Sequence, residues 1–329
     1  MSDALARRAE PAVEALLRSH RLRPWEALPW LAAAAAFFLF PDYLALGSQI
    51  LINILFALSL DLILGYAGIV TLGHAAFFGT GAYTAGLLAA HGWGEPLSGL
   101  VVAALVSGLL GLVSGAIILR TRGLTLLMLT LVIAVMLQEA ANKAGSVTGG
   151  ADGLQGFHVP GVLGFKFDMF GRTAYAYSLV VLFGCFLVAR RVIHSPFGLA
   201  LRGIRENATR MPAIGAPSRA HLRKAYTIAA VLAGIAGAVL TQTTSTVSLE
   251  TLSFSRSADV LVILILGGAG RRLYGGIVGA IIYMLARDQF SGANPQYWYF
   301  WIGVMLVAVV MFLPNGILGG LSALHKKPK

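Results

Sequence analysis

Apolar stretches of roughly 20 residues recur along almost the whole of this 329-residue chain. Each is long enough to cross a hydrocarbon core about 30 Å thick as a helix. The stretches do not alternate apolar and polar residues, as the strands of a membrane barrel would. Because a backbone in lipid must satisfy its own hydrogen bonds, we predict an all-α, polytopic helical membrane protein.

Ten helical segments are predicted, of which about eight to ten are transmembrane or re-entrant. They cover about residues 28–45, 48–66, 74–91, 97–119, 123–143, 174–192, 221–244, 257–269, 274–290 and 296–313. The eighth is too short to span comfortably and ends in a glycine-rich run, so it is predicted to be broken or re-entrant. Residues 28–320 are predicted to form a single transmembrane domain.

Composition excludes several classes of function. The chain is 57% apolar and 12% charged, whereas soluble domains are about 25% charged. The net charge of +11 lies in loops without a nucleic-acid-binding signature, so no nucleic-acid partner is expected. The lone Cys185 excludes an intramolecular disulfide and a cysteine-based metal site. Since no ligand-spaced histidines, hydrolase motif or nucleotide loop occurs, we predict no metal, no cofactor and no enzyme activity.

The distribution of basic residues predicts the orientation. With the N-terminus in the cytoplasm, 20 of the 25 Lys and Arg residues fall on the inner side, as the positive-inside rule favours. The other five are Lys143, Lys166, Arg172, Arg256 and Arg287. Residues 1–27 are predicted to be an amphipathic leader on the inner surface, and residues 321–329 a basic cytoplasmic tail. The protein is therefore expected in the plasma membrane with both termini cytoplasmic.

The basic segment 195–215 lies between two apolar segments on the predicted inner side. Ser195 and Pro196 are typical of a helix start, and Pro212 and Gly215 of its end. Apolar contacts are expected from Leu199, Leu201 and Ile204, and contacts with a partner or with head groups from Arg202, Arg205 and Arg210. A helix of this kind docks into a groove on another protein. A solvated basic loop that only obeys the positive-inside rule remains the alternative.

Two glycine-rich interruptions share the pattern Leu-Ile-Leu-Gly-x-Ala-Gly, at residues 62–68 and 264–270. Paired glycine-interrupted spans indicate a transport pathway. Asp61 precedes the first, and a carboxylate inside a span costs about 2.5–3.5 kcal/mol on insertion scales unless a partner or water receives it. Asp61 is thus a structural hydrogen-bonding group or a residue of the path. His74 is expected to contact a helix terminus rather than a metal.

The polar loop at residues 144–173 is predicted to lie outside. It is too polar to span and too short to form a domain. It is either a simple connector or a docking surface for an external partner.

Four segments in order resemble the permease subunits of branched-chain amino acid ABC transporters, specifically the M-type subunit. The first is LDLILGYAGIVTLGHAAFFGTGAY at residues 60–83, and the second joins GLTLLMLT at 123–130 with TGGADGL at 148–154. The third is SPFGLALRGIREN at 195–207, and the fourth joins LGGAG at 266–270 with GGIVGA at 275–280. Asp61 departs from the pattern, since family members often carry Asn there. The resemblance covers about residues 48–320.

The resemblance implies an ATP-driven importer in which this chain pairs with a second, H-type permease. Two cytoplasmic ATPase subunits would lie beneath the pair, and an external binding protein would deliver the substrate. The cargo would be a branched-chain amino acid, or a related small amide, urea or aromatic acid. The alternative is an ATP-independent secondary transporter or channel that uses Asp61.

The resemblance also implies roles for individual residues. The basic segment 195–215 becomes the coupling helix that contacts the ATPase. Candidates for this coupling are Gly198, Arg202, Arg205 and Glu206. Candidates for the translocation path are Asn53, Asp61, Gly65, Gly68, Thr71, His74, Gly267 and Gly270.

Overall fold

The computed structural model describes residues 27–157, 159–162, 167–168, 171–270, 273–313 and 316–325. The predicted leader, apart from residue 27, and the last four residues of the predicted basic tail lie outside the described residues. Within them the chain is helical, and a β-bridge joins Leu154 to Val247. This confirms the all-α prediction.

The helices are numbered in chain order. They are α1 (Leu28–Leu39), α2 (Leu44–Asp61), α3 (Ala75–Ala90), α4 (Pro96–Ile118), α5 (Leu124–Lys143), α6 (Arg172–Ile193), α7 (Pro196–Glu206), α8 (Ser218–Thr244), α9 (Phe254–Gly267), α10 (Tyr274–Ala293), α11 (Trp298–Phe312) and α12 (Gly316–His325). A π-helical turn, Leu62–Tyr66, extends α2. Helix α12 was not predicted, and it continues into the segment expected to be the tail.

Six helical stretches of the described chain are long and apolar enough to cross a membrane. They are Pro41–Tyr66, Pro96–Ile118, Leu124–Lys143, Arg172–Ile193, Ser218–Thr244 and Trp298–Gly320. Helices α1 and α3 are apolar but shorter. The protein is therefore a multi-pass membrane protein, with fewer full spans than helices.

The centre of the bundle is built from α2, α3, α4 and α8, which pack closely through small residues. Gly81 of α3 lies against the backbone of Gly234 in α8, and Gly237 lies against the carbonyl of Phe78. Membrane helices associate by such close backbone approach, because lipid provides no hydrophobic force between them. The relative position of α3 and α8 is therefore set by direct contact between their backbones.

Helix α3 begins inside the membrane and not at its surface. Ser107, at the middle of α4, donates a hydrogen bond from Oγ to the carbonyl oxygen of Phe77 at 3.3 Å. Because Phe77 lies in the first turn of α3, that turn is at about half depth. The non-helical residues between Tyr66 and Ala75 therefore return from the end of the first span into the bundle.

Helix α9 begins at the same depth. The backbone N–H of Ala75, at the start of α3, donates to Ser257 Oγ in the first turn of α9 at 2.9 Å. Helix α9 has 14 residues, about 21 Å at 1.5 Å per residue. It is therefore too short to cross the whole bundle, as its sequence indicated.

The crossing of α3 and α8 gives a stability prediction. We expect Gly237→Val to lower the melting temperature of the solubilised protein by several degrees, because overpacking costs about 1–3 kcal/mol. Gly184→Val is the matched control, since a Cβ at Gly184 has no neighbour within 4 Å. Equal melting temperatures for the two variants would contradict the packing described here.

Candidate functional site

The basic segment forms helix α7, which we call the docking helix. Ser195 Oγ accepts from the N–H of Gly198 at 3.4 Å, and Pro196 occupies the first turn, as predicted. The helix ends at Glu206 and not near Pro212, so the predicted helix was too long. The reason is Asn207, whose extended backbone breaks the helix and whose Oδ1 accepts from the next turn.

One face of the docking helix packs on the membrane domain. Leu201 is 1% exposed and Ile204 is 3% exposed. Gly198 is also buried, and a Cβ there would collide with the backbone of Ile193 at the end of α6. Phe197 lies beside this face with its ring stacked on His221 of α8, 5.6 Å between centroids. The helix is thus held between α6 and α8.

The other face of the docking helix is open. Leu199, which was predicted to make apolar contacts together with Leu201 and Ile204, is 44% exposed and lies on the opposite face from those two residues. Arg202 and Glu206 are exposed one and two turns further along the same face. Positions 199, 202 and 206 are neighbours on a helix because they are separated by three and four residues. An apolar side chain between charged ones is the arrangement of a helix that enters a groove.

Two arginines of the docking helix contact their own chain, although sequence analysis predicted that they face a partner. Arg205 donates from Nη1 to the carbonyl oxygen of Gly65, inside the π-helical turn that follows α2. The guanidinium of Arg202 lies over the ring of Tyr66, 5.1 Å from its centroid. A guanidinium has donors enough to bind its own chain and still present charge outward. The docking helix is therefore joined to the first glycine-rich interruption.

The same turn meets the second glycine-rich interruption through Asp61. Asp61 is 0% exposed, and its Oδ1 accepts from the backbone N–H of Gly270 at 2.7 Å. Arg205 lies within electrostatic reach of this carboxylate. We call Asp61, Gly65, Arg205 and Gly270 the inner cluster. Among the described residues Asp61 Oδ2 has no hydrogen-bond partner.

Glycine is required where the two interruptions touch. A Cβ at Gly65 would meet Asp61 Oδ1 and the amide of Gly270, and one at Gly270 would meet the carbonyl of Gly65. Gly270 also has a φ of +75°, which L side chains rarely adopt. Gly68, with a φ of +72°, lies under the stem of Arg205. Gly65, Gly68 and Gly270, which were predicted to line the path, therefore lie around Arg205, which was predicted to contact the ATPase.

The remaining path candidates make their contacts with residues other than those of the inner cluster. His74 is fully buried, stacks on Phe56 and lies 2.7 Å from Ser59 Oγ through Nε2. Thr71 is buried and accepts from the N–H of Gly73 at 3.2 Å. Asn53 donates to Gln49 O at 2.8 Å and to Met284 Sδ at 3.5 Å. Gly267 lies against the backbone of Gly275 at the start of α10.

Sequence analysis missed a second group of charged residues, at half depth. Asp259 of α9 accepts at Oδ1 from the hydroxyl of Tyr283 at 2.6 Å. Tyr283 lies in the middle of α10, and its neighbour Met284 contacts Asn53 in the middle of α2. Asp259 is therefore near the centre of the bilayer.

Two arginines accompany Asp259, and together with Tyr283 these residues form what we call the mid-depth cluster. Arg256 lies within electrostatic reach of Asp259 and Arg287. Both guanidinium groups lie on aromatic rings, Arg256 over Phe78 and Arg287 over Trp298, each 5.1 Å from the centroid.

The count of basic residues on the two sides of the membrane placed Arg256 and Arg287 outside, and their positions at half depth correct that assignment. The reason is that α9 starts half-way across the membrane, so that its first turn is not at a surface. Asp259 and Arg287 fall inside predicted helices 257–269 and 274–290. A charge within a span marks a functional site by default, and this was the signal that could have identified them.

An apolar cavity of about 580 Å³ lies between α1, α2, α6 and α10. Its wall includes Trp30, Ile54 and Leu182, and it reaches neither the inner cluster nor the mid-depth cluster. No group of three or more potential metal ligands occurs among the residues that the structure describes.

Comparison with known proteins gives a consistent set of matches. A family model described as "Branched-chain amino acid transport system / permease component" matches residues 43–310. The chain is 28% identical over 320 residues to the high-affinity branched-chain amino acid transport system permease protein LivM of Escherichia coli (strain K12), covering 89% of this chain and 73% of that protein. It is 25% identical over 319 residues to the probable branched-chain amino acid transport permease protein LivM of Methanocaldococcus jannaschii, covering 80% of this chain and 89% of that protein. No solved structure matches the chain.

The contacts of Asp61 predict different effects on the melting temperature for two substitutions. Asp61→Asn keeps an oxygen that accepts from Gly270, so we expect its melting temperature to stay close to that of the unaltered protein. Asp61→Leu leaves the Gly270 N–H without an acceptor and Arg205 without a nearby carboxylate, a loss of about 1–3 kcal/mol. Asp42→Leu, at an exposed carboxylate, is the control. Equal loss in both Asp61 variants would contradict the assignment of Oδ1 as the essential acceptor.

Proposed function

Since the chain belongs to the family of permease components of branched-chain amino acid transport systems, we propose that it forms part of the translocation path for branched-chain amino acids. It is a transport subunit and not an enzyme. Both relatives described above carry branched-chain amino acid transport in their names, which supports this cargo over a small amide, urea or an aromatic acid.

The partners follow from membership in an ABC importer system, which implies ATPase and binding-protein subunits. We propose one H-type permease beside this chain, two ATPase subunits on the cytoplasmic side and one external binding protein. The open face of the docking helix supports an ATPase contact at that place. The loop at residues 144–173 is proposed as the contact for the binding protein on the other side, and it is held to the bundle where Leu154 and Val247 share two backbone hydrogen bonds of 2.9 Å.

The two faces of the docking helix carry this proposal. Leu199, Arg202 and Glu206 would enter a groove of the ATPase, while Leu201 and Ile204 hold the helix on the bundle. Arg205 is proposed to transmit the movement, because its guanidinium donates to Gly65 beside the carboxylate of Asp61. A displacement of the docking helix would then reach both glycine-rich interruptions at once.

Transport itself is proposed to follow from two arrangements of these interruptions. Closure of the ATPase pair favours one arrangement, and separation of the two ATPase subunits favours the other. Each ligand shifts the populations only by its different affinity for the two states. A secondary transporter that protonates Asp61 is disfavoured by the family assignment, and the Gly270 N–H already occupies one oxygen of that carboxylate.

Docking and transmission can be separated by two substitutions. We expect Leu199→Asp to abolish co-purification of the ATPase subunits, because it puts a charge into the groove contact. Arg205→Gln should keep the ATPase bound but lower its stimulation by loaded binding protein roughly ten-fold, the effect of losing one charged hydrogen bond. Arg210→Gln is the matched control, an exposed arginine of the same segment. Loss of the ATPase in Arg205→Gln with retention in Leu199→Asp would reverse the two roles.

The orientation is tested by labelling from each side of the membrane. In a Cys185→Ala background, Arg210→Cys should react with an impermeant thiol reagent only from the cytoplasmic side. Gln155→Cys, also exposed, should react only from the outside. The opposite pattern would invert the topology and remove the docking helix from the ATPase side.

A further inference from the structure

The mid-depth cluster places charges where lipid cannot solvate them. Arg256 and Asp259 lie in the first two turns of α9, and Arg287 lies on α10 just beyond Tyr283. All three side chains are partly exposed on the surface of this subunit. Charged groups at this depth face a water-filled cavity or a polar partner, because exposure to hydrocarbon is too costly. The surface of α9 around Asp259 is therefore not a lipid-facing surface.

The charged side chains of this cluster are held in position by aromatic rings and by one hydrogen bond, and Arg256 also lies within electrostatic reach of Asp259 and Glu250. Both guanidinium groups lie on aromatic rings, which fix their position through the negative face of the ring. Among the described residues Tyr283 is the one hydrogen-bond donor to Asp259, and it occupies Oδ1. Guanidinium donors and the second carboxylate oxygen thus remain available to a ligand.

The backbone adds to the positive side of this site. Helices α3 and α9 both begin here, joined by the Ala75 N–H and Ser257 Oγ. The N-terminus of a helix carries a partial positive charge that favours an anion. Ser253 Oγ accepts from the N–H of Arg256 at 3.2 Å, so the dipole of α9 acts on a capped and ordered first turn.

We propose that the mid-depth cluster binds the two charged groups of the transported α-amino acid. Arg256, supported by the helix N-termini, takes the carboxylate, and Asp259, held by Tyr283, takes the ammonium group. This proposal rests on the proposed function and adds the residues that recognise the cargo.

The first experiment asks whether the site is in contact with water. The assembled transporter carries Cys185→Ala with Ser255→Cys, an exposed position beside Arg256 on α9. We expect a charged methanethiosulfonate reagent to label it, and leucine supplied with binding protein and ATP to slow the labelling. The control is Leu105→Cys, near the middle of α4 and 67% exposed, which should not react. Equal lack of labelling at both positions would overturn the proposal.

The second experiment asks whether the charges select the cargo. Arg256→Gln and Asp259→Asn should each lower leucine uptake into proteoliposomes roughly ten-fold or more, because each removes one charge-assisted contact. The subunit composition of the purified complex should be unchanged. Asp288→Asn is the matched control, an exposed carboxylate next to Arg287 in sequence that lines the apolar cavity. Partial recovery of uptake in Arg256→Lys would show that the positive charge is what matters.

The outcomes separate this inference from the proposed function. Loss of subunits from the complex in Asp259→Asn would overturn the inference, since the charges would then pair with the second permease. Uptake unchanged in both charge variants would also overturn it while leaving the permease function intact. If the unaltered complex carries no branched-chain amino acid but Ser255→Cys is labelled and protected by a different amino acid, the proposed cargo fails and the charged site stands.

Discussion

A helix that breaks inside a bilayer leaves N–H and C=O groups that lipid cannot satisfy. In this protein charged side chains bind exposed backbone groups of two such breaks. The N–H of Gly270 in the second break is bound by Asp61, and the carbonyl of Gly65 in the first is bound by Arg205. The carboxylate and the guanidinium that make these bonds also lie within electrostatic reach of each other. The glycines, the buried charge and the docking helix are therefore parts of a single arrangement.

This arrangement explains how a surface helix can act on the interior of the membrane domain. Arg205 belongs to the docking helix, but its hydrogen bond is inside the bundle. The non-helical residues that follow Gly65 lead directly to Ala75, which contacts Ser257 at half depth. A short and continuous path of backbone thus runs from the docking helix to the charged residues of the mid-depth cluster. Helices α3 and α9 both start at the end of this path, beside the mid-depth cluster.

Sequence reasoning succeeded where a local pattern has one physical solution. Apolar length predicted the helices, glycine runs predicted the breaks, and Ser195 with Pro196 predicted the start of the docking helix. It failed where a residue's role depends on distant residues. Leu199 was grouped with Leu201 and Ile204 but is 44% exposed while they are buried, because the face that packs is set by α6 and α8. Asp259 was passed over, because its depth depends on where α9 begins.

The sequence by itself determined the class of protein, its helical spans and the family to which it belongs, because bilayer thickness and the cost of unpaired backbone leave few other solutions. It also identified Asp61, Gly65, Gly270 and Arg205 as separate candidates. Only the tertiary structure decided that these four are in contact, although Asp61 and Gly270 are 209 residues apart in the chain. It also decided the depth of the charges on α9. Both depend on how helices distant in sequence pack together, and no local pattern encodes that packing.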